Sequence, residues 1–359
     1  MEQKRFSLVH VSREFMPHLI MVLAQVGYTL LNFVSEASFN HGMSPYVYVT
    51  YRHVVAGVVM LPFAYFLERK LRPKLTFALV MEIFVLSLLG SMSLNMYFAS
   101  MKYTSPAFVT AMINTITPLT FLIAVALRFE FVDIVHPRGV AKVLGTLISL
   151  AGVMIMTLYK GPIMRNLWHP LIHVEGKSAD INKSWLKGSL LAFSCSVTWS
   201  IWYIMQASTL KRYPAQLSLT TWMCFLGAAQ SAVLTVIAEN NSSEWVIGFN
   251  IDLWSIIYGG VVASGLLIYI QLWVTEKRGP VFVTVFNPLC AIFVAVVAYF
   301  ILAEKLYLGS IIGASIIIIG MYLLLWGKEG DQEVHIRTKG EPQYEDPECR
   351  TQSLTLAGN

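Results

Sequence analysis

At 359 residues the chain is long enough for two or three soluble domains, yet 56% of it is hydrophobic and only 13% is charged, about half the soluble norm of ~25%. Mean hydropathy is +0.60, and the apolar residues fall in blocks of roughly 20, each able to cross a ~30 Å hydrocarbon core as a helix. With a formal net charge of +5, this balance describes a polytopic membrane protein and excludes soluble enzymes, secreted disulfide scaffolds and nucleic-acid modules.

In chain order the blocks predict spans near 17–37, 45–67, 76–100, 105–128, 139–159, 186–209, 216–238, 253–274, 280–302 and 306–326. In lipid every backbone polar group needs an internal partner, so blocks of this length are read as helices. The polar stretch from Met1 to Glu14 precedes a span-length block, which is not the pattern of a cleaved signal. Cys195, Cys224, Cys290 and Cys349 have no metal-site or disulfide spacing. No cofactor and no metal are expected.

Charge placement gives orientation. With both termini in the cytosol, seventeen of the 26 Lys and Arg residues lie on the cytosolic side, six lie opposite, and Arg52, Lys142 and Lys187 fall inside spans. Sequons starting at Asn182, Asn240 and Asn241 all fall on the outer side in this arrangement.

The chain repeats itself. Ser105 to Thr110 (SPAFVT) matches Gly279 to Thr284 (GPVFVT) at an offset of 174, which also carries Glu130 onto Glu304. Gly145 and Gly152 answer Gly313 and Gly320 at an offset of 168. Five spans per repeat is an odd number, so the halves run oppositely through the bilayer, a device of secondary transporters. The domain reading is a first five-helix repeat over 1–160, an exofacial loop over 161–185, a second repeat over 186–328 and a disordered cytosolic tail over 329–359.

Polar residues inside spans are the candidates for a substrate path, with interhelical hydrogen bonding as the competing explanation. Gln25, Tyr28, Asn32 and Glu36 share one face of the first span, and the third span offers Asn95. Thr110, Asn114 and Thr117 form a stripe in the fourth, echoed by Thr284 and Asn287 in the ninth. Pro118 and Pro288 each free a carbonyl there, which either binds a zwitterion or marks a packing kink. The sixth span carries Trp199, Trp202, Tyr203 and Gln206, and the eighth carries Gln271. Arg52 is either a carboxylate-binding group or a counter-ion for Glu36, and His53 is read as structural. No carboxylate sits at the middle of a span, which points to a facilitator rather than a proton symporter. No paired Asp, HExxH or Ser–His arrangement occurs within the spans, so no enzyme is expected.

Several local patterns carry a family resemblance: Tyr51-Arg52-His53, Glu68-Arg69-Lys70, Lys102-Tyr103-Thr104-Ser105, Phe286-Asn287-Pro288-Leu289, Glu304-Lys305-Leu306 and Leu325-Trp326-Gly327-Lys328. Over roughly residues 15–328 the chain resembles the plant nodulin-21-like, walls-are-thin-related group (UMAMIT facilitators) of the drug/metabolite transporter superfamily. The resemblance implies an all-α fold of ten transmembrane helices in two inverted EamA repeats. It further implies transport of amino acids or, alternatively, of auxin or another aromatic organic acid, at the plasma membrane rather than the vacuolar one. Two departures stand out: Ser93-Leu94 replaces a frequent Asp-Gln before Asn95, and Glu36 stands where Lys is frequent. The expected partners are a small-molecule substrate and the lipid bilayer, with no nucleic acid; a homo-oligomer is left open.

Overall fold

A computed structural model describes residues 2–103, 109, 112–130, 132, 136–159, 162, 185–238, 245–301 and 308–340. Ten helices result: α1 Glu2–His41, α2 Pro45–Leu67, α3 Phe77–Tyr103, α4 Ile116–Ala126, α5 Pro137–Leu158, α6 Trp185–Arg212 and α7 Gln216–Ala238. Then α8 comprises Ile251–Tyr258, a π-helical stretch Gly259–Leu267 and Ile268–Arg278, α9 comprises Pro280–Val285 and Asn287–Ile301, and α10 is Leu308–Gly340. Nine are long and apolar enough to cross a membrane, and a shorter apolar helix over Met112–Ala126 occupies the fourth position, all counted among the described residues. Thr110, Glu304, the three sequons and nearly all of the 161–185 segment lie outside those residues.

Local chemistry sets the helix ends. Proline opens α2, α5 and α9, where its missing N–H would have had no partner anyway. Gly42 (φ 113°) and Gly279 (φ 83°) turn the chain ahead of two of these prolines with backbone angles that suit glycine. At the far end of α2, Glu68 accepts the backbone N–H groups of Leu217 (2.8 Å) and Ser218 (2.7 Å), so one repeat supplies the anion at the N-terminus of α7. The tail expected to be disordered from 329 instead continues α10 to Gly340. Lys, Glu, Gln and Arg are good helix formers, and no proline intervenes before Pro342.

The inside is more polar than the outside. Phe63, Phe66, Phe77 and Ile237 are exposed, whereas Gln25, Asn95, Thr120, Ser200, Gln206 and Gln271 are buried. That inversion suits a bundle solvated by lipid. The apolar core gathers Leu86, Phe121, Trp202, Leu272, Val281 and Phe286 from α3, α4, α6, α8 and α9.

Helix contacts follow the internal repeat. α1 packs on α9 as α6 packs on α4, α1 on α8 as α6 on α3, and α2 on α8 as α7 on α3. The self-related pairs α2–α7, α4–α9 and α5–α10 also touch. These pairings map onto one another when the halves are exchanged, as two inverted five-helix units require. The α5–α10 pair is packed backbone to backbone: a Cβ on Gly145 would stand 2.6 Å from the Gly320 carbonyl oxygen.

Candidate functional site

Eight helices or their approaches wall one cavity of about 190 Å³ in the middle of the bundle. Gln25, Tyr28 and Asn32 reach it from α1, Arg52 from α2, Trp199, Trp202 and Tyr203 from α6, Gln271 from α8 and Asn287 from α9. The helical spacing of the first three is what turns them to one side. Asn287 stands within hydrogen-bonding reach of Tyr203. The Trp202 and Tyr203 rings meet edge to face at 5.2 Å, and Tyr97 meets Trp199 in the same way at 6.2 Å.

Arg52 is 4% exposed and donates its Nε–H to Ser264 Oγ at 2.6 Å, while Glu36 is exposed. The close approach of α2 and α8 around it depends on two glycines. A Cβ on Gly259 would meet the Arg52 side chain at 3.3 Å, and one on Gly260 the Arg52 carbonyl oxygen at 2.9 Å. Both glycines open the π stretch, a helix variant often found at functional positions.

Five other candidates are buried outside the cavity wall. Asn95 donates to Ser91 O (2.8 Å) and Ser231 Oγ (3.3 Å), tying α3 to α7. Gln206 accepts from Gln271 Nε2 at 2.6 Å, behind the cavity wall. Thr117 Oγ1 donates to the Thr284 carbonyl at 2.7 Å, and Thr284 Oγ1 donates to Val281 O at 3.0 Å. Asn114 is buried just before a turn at Thr115. Pro288 cannot donate to the carbonyl four residues back, which is that of Thr284; Thr117 serves it, so this carbonyl is not left for a ligand. Thr110 lies outside the described residues.

The cavity also contains residues that were not path candidates. His53, read from the sequence as structural, lines it, with Nδ1 2.8 Å from Val49 O. Ser35, Ser87, Ser91, Tyr97 and Thr220 add hydroxyls. Cys290 takes a hydrogen bond from Asn32 Nδ2 at 3.5 Å and lies 3.7 Å from Thr29 Oγ1. A neighbour of Arg52, a helix-face partner of Asn287 and an aromatic on α3 were the available signals for His53, Cys290 and Tyr97. Among the described residues, no group of three or more His, Cys, Asp or Glu side chains is arranged to hold a metal ion.

With two permanent features, a mid-bundle polar and aromatic cavity and two inverted repeats, the site can bind a small amphipathic molecule between the halves. Comparison with known proteins gives the family. The EamA-like transporter family matches residues 16–158 and again 186–326. The WAT1-related protein At5g07050 of Arabidopsis thaliana is 43% identical over 331 residues, covering 89% of this chain and 82% of its own. The WAT1-related protein At4g08300 of the same plant is 40% identical over 329 residues, with 90% and 88% covered. A solved crystal structure at 19% identity superposes with a TM-score of 0.63 over 86% of this chain and 98% of the other, a likeness of fold. The chain belongs to the EamA-like transporter family and is a multi-pass membrane transporter.

Proposed function

We propose that the protein is a facilitator for amino acids, working by alternating access around the central cavity, with both termini cytosolic and the plasma membrane as its site. The observation that carries this reading is the lining: Arg52 together with uncharged polar groups and aromatics, and no carboxylate among the residues that form the wall. A buried guanidinium is costly without a counter-charge, so a carboxylate-bearing substrate is favoured. The tyrosine and tryptophan faces suit an ammonium group or an apolar side chain. At about 190 Å³ the space falls below the roughly 300–1,000 Å³ of drug-sized sites, which suits a metabolite of amino-acid size. The lack of a lining carboxylate supports facilitation rather than proton coupling.

Trp199, Trp202, Tyr97 and Tyr203 beside Arg52 support a second reading, an aromatic organic acid such as auxin. Counterflow in proteoliposomes separates the two. With ion gradients collapsed and unlabelled glutamine inside, labelled glutamine is expected to accumulate transiently. Accumulation of labelled auxin alone would replace the amino-acid reading, and absence of counterflow with both would overturn each.

A further inference from the structure

Two carboxylates lie near opposite ends of the bundle and are held in the same way. Glu82, early in α3, takes the Thr209 hydroxyl on one oxygen at 2.9 Å and Arg212 Nη1 on the other at 3.1 Å, both from the last turns of α6. Asp252, in the first turn of α8, takes the Ser38 hydroxyl on one oxygen at 2.5 Å, and its other oxygen is 3.2 Å from His41 Nδ1, both from the end of α1. In each case the hydroxyl and the basic residue are three positions apart. The second set matches the first across the repeat, since α8 corresponds to α3 and α1 to α6. The ends are opposite because α1 finishes at His41, α2 returns across the bundle, and α3 starts where α2 stops.

All four helices also wall the cavity. Ser38 lies about 4.5 Å beyond the lining residue Ser35, and Glu82 about 7.5 Å before the lining residue Ser87, at 1.5 Å per residue. We infer that Asp252 with Ser38 and His41, and Glu82 with Thr209 and Arg212, are the two gates of the transport path, each a latch that parts when its end of the cavity opens. The inference rests on reading the cavity as the substrate path. Each latch joins the first helix of one repeat to the third helix of the other, so a relative rocking of the halves strains one while sparing its counterpart. Latches of this kind are weak by construction. His41 and Arg212 are more than half exposed, and exposed ion pairs contribute little, which lets a gate open without trapping the carrier.

Cys290, inside the cavity, is a built-in reporter. The test measures its modification by a membrane-impermeant maleimide in the full-length protein, in a Cys349→Ser background, using sealed vesicles of each orientation with Cys290→Ser as the blank. Asp252→Ala is expected to raise the rate from the Asp252 end by about threefold or more. Glu82→Ala should raise it from the opposite end and lower it from the Asp252 end. Should Asp252→Ala fail to fold, Ser38→Ala with His41→Ala opens the same latch from the other side. Unchanged rates in folded variants, or a rise at the same end from both, would overturn the gates. Protection of Cys290 by glutamine tests the path separately: its absence, with side-specific labelling intact, removes the amino-acid reading and leaves the two latches standing.

Discussion

Thr117 on α4 donates its hydroxyl to the carbonyl of Thr284 on α9 at 2.7 Å, across the junction of the two repeats. That carbonyl is the one Pro288 leaves without its helical donor. Both helices are interrupted nearby, at Thr115 and at Phe286. The two breaks are thus stitched to each other rather than opened to a ligand.

Replacing Thr117 by Val keeps the shape and removes the donor, leaving a buried carbonyl unsatisfied. The expected loss is about 1–3 kcal/mol, read as a lower melting temperature in detergent, with Thr117→Ser close to the parent. A Val variant as stable as the parent would show that the Thr284 carbonyl is satisfied in another way.

Arg52 carries the carboxylate argument. Arg52→Ala is expected to lower glutamine counterflow by about thirtyfold or more, because truncating one side of a buried charge pair costs about 2–5 kcal/mol. Arg52→Lys keeps the charge but not the planar fork that reaches Ser264, so an intermediate rate is expected. Parent-like counterflow in Arg52→Ala would remove the residue from the path.

The α5–α10 seam predicts the opposite combination. Gly145→Ala forces a methyl group 2.6 Å from both the Gly320 carbonyl oxygen and the Leu324 amide nitrogen, and overpacking of this kind costs about 1–3 kcal/mol. Gly145 is not part of the cavity wall. A lowered melting temperature with an unchanged apparent KM for substrate is therefore expected, and the two measurements together check it.

Much of the architecture was legible in the sequence because span length and the repeat are both set by strong constraints. The site was legible only in part. A polar residue on an inward helix face serves equally as lining or as glue, and one helix shows only its own face. Gln25, Tyr28 and Asn32 meet the cavity, whereas Asn95, Gln206 and Thr117 spend their hydrogen bonds on Ser231, Gln271 and Thr284. His53 beside Arg52 and Cys290 opposite Asn32 acquire meaning only once their helices are packed. The π stretch left no signature, since Gly259–Leu267 is apolar apart from Ser264, as an ordinary α-helical span can be.

That stretch makes α8 a helix in two pieces with a loosely wound coupling between them. Tightening Gly259–Leu267 toward α-helical bonding would lengthen it and turn Ile268 and Gln271 about the helix axis while Asp252 stayed where it is. Torque applied at one end of α8 therefore need not arrive at the other. A closure at the rim and a rearrangement of the binding surface can then occur in sequence along a single helix, with the slack stored in the nine residues Gly259–Leu267.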